Sequence, residues 1–340
     1  MVGIVSYGYY IPSFRIKIAD IAGMWGKNAT DVSLSLQVKE KTVSSQDEDA
    51  LTMAYESASQ ALRGVSIDRK KIGGVFFGTE SPPYAVNPSS TILAEFLGIE
   101  GQYLASDMQF ACKAATGAMI ASSGLIASGY TSYILVVASD KATAKPHDAL
   151  EYTASSGSVS LLLGKKNPLL EIVDMESFSS DTPDFWRREG ILYPSHGGRF
   201  TGKPSYFYHI MQSSHTILKR NKIKPSQFAH AIFHMPNGKF PRKVAILLGF
   251  TFDQIKTSLT IESLGNSYTA SSLMGLVAVL EIAKPGEYIF LASYGSGAGS
   301  DAFIFRVTKE ILNRRKAFQQ NIKEKKYIDY QTYLRYMNII

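Results

Sequence analysis

The hydrophobic and polar positions of the first half of the chain predict alternating strands and helices. Short apolar runs predict strands at 2–12, 72–78, 133–138 and 158–163. Apolar residues at helical spacing predict helices at 47–62 and 88–97. A glycine-bearing loop is expected at 25–30. This order is typical of a layered α/β protein.

The second half repeats the same order. Strands are predicted at 229–234, 288–293 and 302–307, and helices at 241–248 and from 265 onwards. A Leu-Gly pair also precedes both Cys112 and Asn266 at similar distances. We therefore predict a duplication with a sheet in each half, the halves spanning 1–164 and 165–308 and a tail following at 309–340.

The only cysteine, Cys112, is followed by a run of small residues, Gly117–Gly129. A helix so rich in Ala, Gly and Ser gains little from intrinsic propensity, so we expect it to be buried and tightly packed. Cys112 is predicted in its first turn, where free backbone N–H groups and the helix dipole favour a thiolate. The alternative is a small, inert buried side chain, which is common for a lone cysteine.

Four chemically useful residues occupy equivalent positions in the two halves. Cys112 and Asn266 begin the two small-residue helices, and Glu80 and His234 follow equivalent strands. If the halves pack about a pseudo-twofold axis, these side chains converge. A nucleophile, a base, an acid and an amide would then share one site.

Composition indicates a globular protein and limits the cofactor classes. The chain is 45% hydrophobic and 19% charged, and no apolar run is long enough to predict a membrane span. The first residues lack a basic start before an apolar run, so we expect a cytoplasmic protein. One cysteine excludes an intramolecular disulfide and a cysteine-cluster zinc site, and the histidines show no paired metal spacing.

The net charge of +7 is concentrated at the C-terminus. From Lys309 onward, eight Lys and Arg face three acids, so the rest of the chain is nearly neutral. This distribution argues against nucleic-acid binding. A solvated helical tail and a docking segment for a partner both remain open for residues 309–340.

Several motifs together resemble one family. The sequence is similar to the thiolase superfamily and, within it, to the short archaeal-type 3-hydroxy-3-methylglutaryl-CoA (HMG-CoA) synthases. The resemblance covers about residues 1–308. Its motifs are Gly78–Ser81, Phe110–Thr116, Asp184–Arg188 with Tyr193-Pro194, Gly198–Thr201, Phe233–Pro241, Gly265–Ser267 and Ser293–Gly299.

This resemblance implies a thiolase-like fold with two βαβαβαββ halves in an αβαβα arrangement. It implies that acetyl-CoA and acetoacetyl-CoA are condensed through an acetyl-Cys112 intermediate, an early step of the mevalonate route to isoprenoids, with no cofactor. Glu80 is the expected base, and His234 is expected to assist the ketone oxygen. Substrate contacts are expected from Thr153, Thr201, Asn266 and Ser296, and CoA contacts from Arg199, Lys239 and Lys243.

Two other functions share parts of this pattern. An initiating ketoacyl synthase has the same fold and the Cys, His and Asn set, but decarboxylation supplies its carbanion, so it needs no carboxylate such as Glu80. A non-enzymatic scaffold of a thiolase complex would be expected to lack Glu80, Cys112 or His234, and all three are present. The resemblance also implies a homodimer, and partnership with an acetoacetyl-CoA thiolase and a small protein with a zinc ribbon and an OB fold.

Overall fold

The strands were identified in a computed structural model that describes residues 1–340. They are β1 Gly3–Tyr10, β2 Phe14–Lys17, β3 Glu40–Val43, β4 Ile72–Gly78, β5 Leu104–Met108, β6 Tyr133–Lys141, β7 Ser156–Gly164, β8 Leu170–Ser179, β9 Phe185–Trp186, β10 Ser195–His196, β11 His230–Phe233, β12 Tyr288–Ala292, β13 Gly299–Val307 and β14 Lys326–Tyr327.

The helices include every one predicted from the apolar spacing. They are α1 Ile18–Met24, α2 Ala29–Leu36, α3 Ala50–Arg63, α4 Ser89–Phe96, α5 Ala114–Ala127, α6 Tyr208–Asn221, α7 Lys239–Leu248, α8 Phe252–Ile255, α9 Ile261–Leu264, α10 Ser271–Leu280, α11 Phe318–Lys323 and α12 Tyr330–Tyr336.

Nine strands form one sheet in the order β11-β12-β13-β8-β1-β7-β6-β4-β5. The prediction of a separate sheet in each half is therefore wrong in one respect. Strands β1 and β8 pair through Gly3 with Glu171 and Ile4 with Leu170, which joins the two sets. The join is short, and most pairing remains within each half.

Of the two small-residue helices, α10 is buried throughout, as predicted. Helix α5 is buried along the face that packs on β4, β6 and β7, but Ala121, Gly124 and Ala127 are exposed, so the prediction holds only in part. The glycines permit close approach: a Cβ on Gly78 of β4 would lie 2.7 Å from the backbone nitrogen of Ala115. Small side chains therefore bring α5 directly against the end of β4, which carries Glu80.

The second half departs from the predicted βαβαβαββ order. No strand forms between α8 and α10, where the first half has β5. A 3₁₀ turn, Lys256–Ser258, occupies this position, and the Ser258 hydroxyl donates to the backbone oxygen of Ala231 on β11. A side chain thus contacts the backbone of β11 where a pairing strand was expected.

The C-terminal residues are packed against the rest of the chain. Strand β14 pairs in parallel with β2, and Phe318, Tyr330 and Tyr333 are buried. Basic residues also contact the body, since Arg314 donates to the backbone oxygens of Val5 and Asn167. Residues 309–340 are therefore not a freely solvated tail. None of the helices is both long and apolar enough to span a bilayer.

Candidate active site

Cys112 lies in a tight turn immediately before α5. Helix α5 begins at Ala114, so the prediction that Cys112 lies within the first helical turn is wrong by two residues. Ala111 has a φ of 45°, a left-handed conformation that is uncommon for a residue with a side chain. The chain reverses sharply here and presents the cysteine, which is 4% exposed, to an interior cluster with Ala142, Ala154 and Tyr268.

The carboxylate of Glu80 and the thiol of Cys112 are close neighbours, and each affects the pKa of the other. Burial raises the pKa of Glu80 from 4.5 to about 8, the negative charge of Asp140 adds to this, and the neighbouring thiol opposes it. The Glu80 Oε1 atom is buried and has no hydrogen-bond partner. Glu80 therefore has the raised basicity and the free oxygen that a proton acceptor needs.

The thiol itself is not activated as the sequence predicted. Burial raises the pKa of Cys112 well above 9.0, and the neighbouring Glu80 charge raises it further. The expectation of a thiolate stabilised by the helix terminus is therefore wrong. Burial and a nearby carboxylate outweigh the helix dipole, because the helix begins only after the cysteine and both other effects disfavour a negative sulfur.

Asp140 organises the end of β4 and was not predicted as a site residue. Its Oδ1 atom accepts hydrogen bonds from the Glu80 backbone N–H at 2.7 Å, the Thr79 hydroxyl at 2.9 Å and the Ser81 hydroxyl at 2.7 Å. Its Oδ2 atom accepts from the backbone N–H and the hydroxyl of Thr269, at 3.0 and 2.6 Å. Asp140 thus ties the Glu80 segment of the first half to the second half.

His234 follows β11 and is fully enclosed. Its backbone N–H donates to Ala292 at 2.9 Å, and its carbonyl accepts from the Tyr206 hydroxyl at 2.6 Å. Burial lowers the pKa of His234 from 6.5 to about 3, so the ring is neutral. The Nδ1 atom is buried without a hydrogen-bond partner. The ring is therefore not a histidine whose hydrogen bonds are satisfied within the core.

Asn266 is bound to the segment that carries Thr153. The Asn266 backbone N–H donates to the carbonyl of Thr153 at 2.7 Å, and the Asn266 carbonyl accepts from Ser155 at 3.0 Å. Between them, Ala154 belongs to the same apolar cluster as Cys112. The structure therefore brings Asn266 and Thr153 together beside Ala154, a member of the apolar cluster that contains Cys112.

The loop between β12 and β13 packs against the Cys112 turn. A Cβ on Gly295 would lie 2.6 Å from the Phe110 backbone oxygen and 2.9 Å from the Lys113 side chain, so only glycine allows this contact. The next residue, Ser296, lies near the Tyr294 hydroxyl and lowers the pKa of that group, against the larger effect of burial. The buried carboxylate of Asp184 accepts from the Tyr294 hydroxyl and from Gly297, both at 2.6 Å. The loop is therefore fixed by the Cys112 turn on one side and by Asp184 on the other.

The remaining predicted contacts lie farther out. Thr201 is half-buried and its hydroxyl donates to Gly198, while Arg199, Lys239 and Lys243 are exposed and form no ion pair. Lys239 and Lys243 lie on α7, the helix that follows His234, and the Lys243 ammonium is 5.4 Å from the Phe207 ring centroid. No hydrogen bond or ion pair joins any of these four residues to Cys112, Glu80 or His234.

Asp140, Arg187 and Tyr268 are the neighbours of Glu80 and Cys112 that sequence reasoning missed. Arg187 donates to the Glu80 carbonyl at 2.9 Å. Asp140 carried one usable signal, because it stands at the end of a long apolar strand, where polar residues of α/β proteins often face a site. Arg187 lies within a motif of the resemblance but had no assigned role.

Comparison with known proteins gives consistent results. Residues 1–168 match the family model described as hydroxymethylglutaryl-coenzyme A synthase N terminal. Residues 218–307 match the model described as 3-oxoacyl-[acyl-carrier-protein] synthase III C terminal. In overall shape, the chain is similar to a solved structure of MvaS in complex with 3-hydroxy-3-methylglutaryl coenzyme A. The TM-score is 0.91 at 25% identity, with 100% of this chain and 92% of the other covered.

Curated relatives are similar over nearly the whole chain. The hydroxymethylglutaryl-CoA synthase of Methanococcoides burtonii is 49% identical over 340 residues, covering 98% of this chain and 97% of the relative. That of Archaeoglobus fulgidus is 46% identical over 338 residues, covering 99% and 98%. With a thiolase-like fold and identity at this level over full length, the chain belongs to the hydroxymethylglutaryl-CoA synthase family.

Proposed function

We propose that this chain condenses acetyl-CoA with acetoacetyl-CoA and water to form HMG-CoA and CoA, an early step of the mevalonate route to isoprenoids. One observation supports the assignment of residues: the Glu80 carboxylate, whose Oε1 atom is buried without a hydrogen-bond partner, is a close neighbour of the buried Cys112 thiol. Such a pair offers a nucleophile and a base at one point.

In the first half-reaction, the Cys112 sulfur attacks the carbonyl of acetyl-CoA. The Cys112–acetyl bond forms, the bond to the CoA sulfur breaks, and the thiol proton ends on the departing CoA. Covalent capture divides one difficult condensation into separate steps. Because burial raises the pKa of the thiol, we expect its proton to leave as the new bond forms rather than before it.

In the second step, Glu80 removes a proton from the acetyl methyl group. The resulting carbanion attacks the ketone carbon of acetoacetyl-CoA, and the ketone oxygen takes up a proton. A carboxylate with its pKa raised to about 8 is a stronger base than a solvated one. His234 is neutral, so one ring nitrogen carries a hydrogen that can be donated to this oxygen as negative charge develops.

In the last step, water cleaves the Cys112 thioester and regenerates the thiol. The released product keeps the CoA that entered with acetoacetyl-CoA. Thr153, Asn266, Thr201 and Ser296 are proposed to contact the substrates. Arg199, Lys239 and Lys243 are proposed to contact the CoA phosphates, since they are exposed cations without acidic partners.

The alternative is a decarboxylating ketoacyl synthase, which the match of residues 218–307 to a synthase III model brings forward. Glu80 argues against it. Decarboxylation generates its own carbanion, and a buried carboxylate beside the nucleophile would only add repulsion to a malonyl substrate. The relatives at 46% and 49% identity are also named hydroxymethylglutaryl-CoA synthases, not ketoacyl synthases.

A homodimer formed through the edge of the sheet is proposed for the assembly. Strand β5 is the last strand of the sheet, and large apolar side chains nearby are exposed, including Tyr84, Val86, Phe96 and Leu104. An unpaired, partly apolar edge is a common pairing surface. Light scattering should give twice the chain mass, and a Leu104→Lys variant should shift it towards the monomer.

The family resemblance also supports a cytoplasmic multienzyme complex with an acetoacetyl-CoA thiolase and a small zinc-ribbon and OB-fold protein. It further supports a division of the chain at about residues 164 and 308. These remain proposals. Co-purification from native extract tests the complex. Recovery of this chain without thiolase would contradict the proposed complex.

Mass spectrometry of the intact protein tests the proposed reaction. Incubation with acetyl-CoA alone should add one acetyl group, located to the peptide that contains Cys112, and acetoacetyl-CoA should then discharge it as HMG-CoA. Cys112→Ser is the matched control and should remain unmodified. Carbon dioxide release from a malonyl thioester, with no acetylation by acetyl-CoA, would instead support the ketoacyl synthase.

A further inference from the structure

The C-terminal segment places two tyrosines beside the site's supporting loop. Helix α12 follows β14, and its residues Tyr330 and Tyr333 are 7% and 2% exposed. Both rings lie against a cluster formed by α1, β2 and β3. Because these rings are enclosed by the chain itself, they are not available to a partner protein.

Tyr330 donates to a buried carboxylate. Glu151, in the 3₁₀ turn Ala149–Tyr152, is fully buried and accepts from the Tyr330 hydroxyl at 2.7 Å. Its other oxygen accepts from the Trp25 indole at 3.0 Å and from the His147 N–H at 2.8 Å. A buried carboxylate is stable only when such donors surround it, so the turn depends on them.

Tyr333 supports the same turn through a buried lysine. The Lys41 ammonium, on β3, donates to the Glu151 backbone oxygen and to the Tyr333 hydroxyl, the latter at 3.2 Å. It also lies 4.5 Å from the centroid of the Tyr333 ring, within range of a cation–π contact. The side chain and the backbone of Glu151 are therefore each tied to a different tyrosine of α12.

The turn leads directly into the site. Thr153 ends it, and the Thr153 carbonyl and the Ser155 N–H hold both backbone groups of Asn266. The side chain of Lys41 also packs against Gly265: a Cβ added to Gly265 would lie 2.7 Å from the Lys41 Cβ atom. A shift of Glu151 would consequently move Thr153 and Asn266 together.

We infer that Tyr330 and Tyr333 are positioning residues that act through Glu151 and Lys41 to hold Thr153 and Asn266 in place for the second thioester substrate. This inference rests on the proposed function, in which Thr153 and Asn266 contact that substrate. It gives the C-terminal segment a role within the site. Neither the basic composition of residues 309–340 nor the four site residues of the two halves pointed to it.

The test compares Tyr330→Phe with Tyr336→Phe. Both variants keep the ring, but only Tyr330 loses a hydrogen bond, since the Tyr336 ring packs on Phe14 and its hydroxyl makes none. We expect Tyr330→Phe to raise KM for acetoacetyl-CoA about tenfold, the order expected from losing one bond to a charged group. Acetylation of Cys112 by acetyl-CoA alone should stay within about twofold, because Cys112 is held by α5 and the 295–299 loop.

Hydrogen–deuterium exchange of residues 147–156 gives a readout that does not depend on activity. Tyr330→Phe should speed exchange there, and Tyr336→Phe should not. Equal KM and equal exchange in the two variants would overturn the inference, as would a loss of acetylation and condensation in parallel, which indicates general destabilisation. A wild-type protein that is never acetylated would refute the proposed function, and the exchange measurement would still decide whether Tyr330 holds this segment.

Discussion

Glu80→Gln should make the protein more stable while removing its condensing activity. The pKa of Glu80 is raised from 4.5 to about 8, chiefly by burial. The folded state therefore binds a proton more tightly than the unfolded state does. Below pH 4.5, Glu80 is protonated in both states and does not lower the free energy of unfolding. The free energy of unfolding then falls as the pH rises towards about 8.

The size of the effect follows from the difference between the two pKa values. Each pH unit in this window lowers the free energy of unfolding by up to about 1.4 kcal/mol, so the full penalty above pH 8 is at most about 5 kcal/mol. Glu80 shares its site with Asp140 and Cys112, so its titration is linked to theirs, and we expect about 2 to 5 kcal/mol. Glutamine has the same shape and no charge, and it escapes the penalty.

Urea denaturation between pH 5 and 9 measures this difference. The free energies of unfolding of the wild type and of Glu80→Gln should be nearly equal at pH 5. They should diverge as the pH rises, with the variant more stable. Glu95→Gln is the matched control, because Glu95 is an exposed glutamate on α4 and its variant should follow the wild type. Parallel curves for wild type and Glu80→Gln would refute the account of the raised pKa.

The same variant should separate the half-reactions. Condensation should fall by about 10² to 10⁴, the usual contribution of a general base. Acetylation should survive, because the carboxylate is needed only to remove the methyl proton, and removing the Glu80 charge also removes one cause of the raised thiol pKa. If acetyl transfer fell as far as condensation while the protein stayed folded, the role assigned to Glu80 would be wrong.

Two further predictions concern pH and a buried ion pair. The rate of condensation at saturating substrate should rise with pH up to about 8, because Glu80 must be deprotonated; a rate that is flat from pH 6 to 9 would contradict this. Asp301→Asn should cost about 3 to 5 kcal/mol in urea denaturation, since it leaves the Lys113 ammonium, 2.9 Å away and 4% exposed, buried without a counter-charge. Glu171→Gln is its control: it removes the half-exposed pair between Glu171 and Arg306, which lies on β13 like Asp301, and should cost less than about 1 kcal/mol, so equal losses would show that burial does not set the cost.

The confirmed predictions are those that depend on local patterns and motifs in the sequence. Strand and helix positions followed from apolar spacing, because burying one face requires that spacing wherever the element lies. The burial of α10 and of one face of α5 followed from their small residues. Family membership, the fold and the reaction followed from motifs spread along the chain. The roles of the individual site residues stay predictions until the experiments above are done.

Other features depended on residues far apart in sequence. Asp140 meets Thr269 across the two halves, and Glu151 meets Tyr330. A single sequence shows that these are polar residues, but not which of many donors each acid meets. The failure to foresee the join of β1 to β8 has the same origin, because strand pairing is decided by how the halves pack.

The charge state of the site was likewise decided by tertiary structure. The sequence predicted a thiolate at Cys112 from its place beside a helix start, and the family resemblance implied a base at Glu80. Burial raises both pKa values, so the expectation for Cys112 was wrong, whereas the raised pKa of Glu80 suits the proposed base. The sequence determined which groups the chain can bring to the site, whereas desolvation and the carboxylates packed beside the sulfur, which only the folded chain defines, determined how those groups hold their protons.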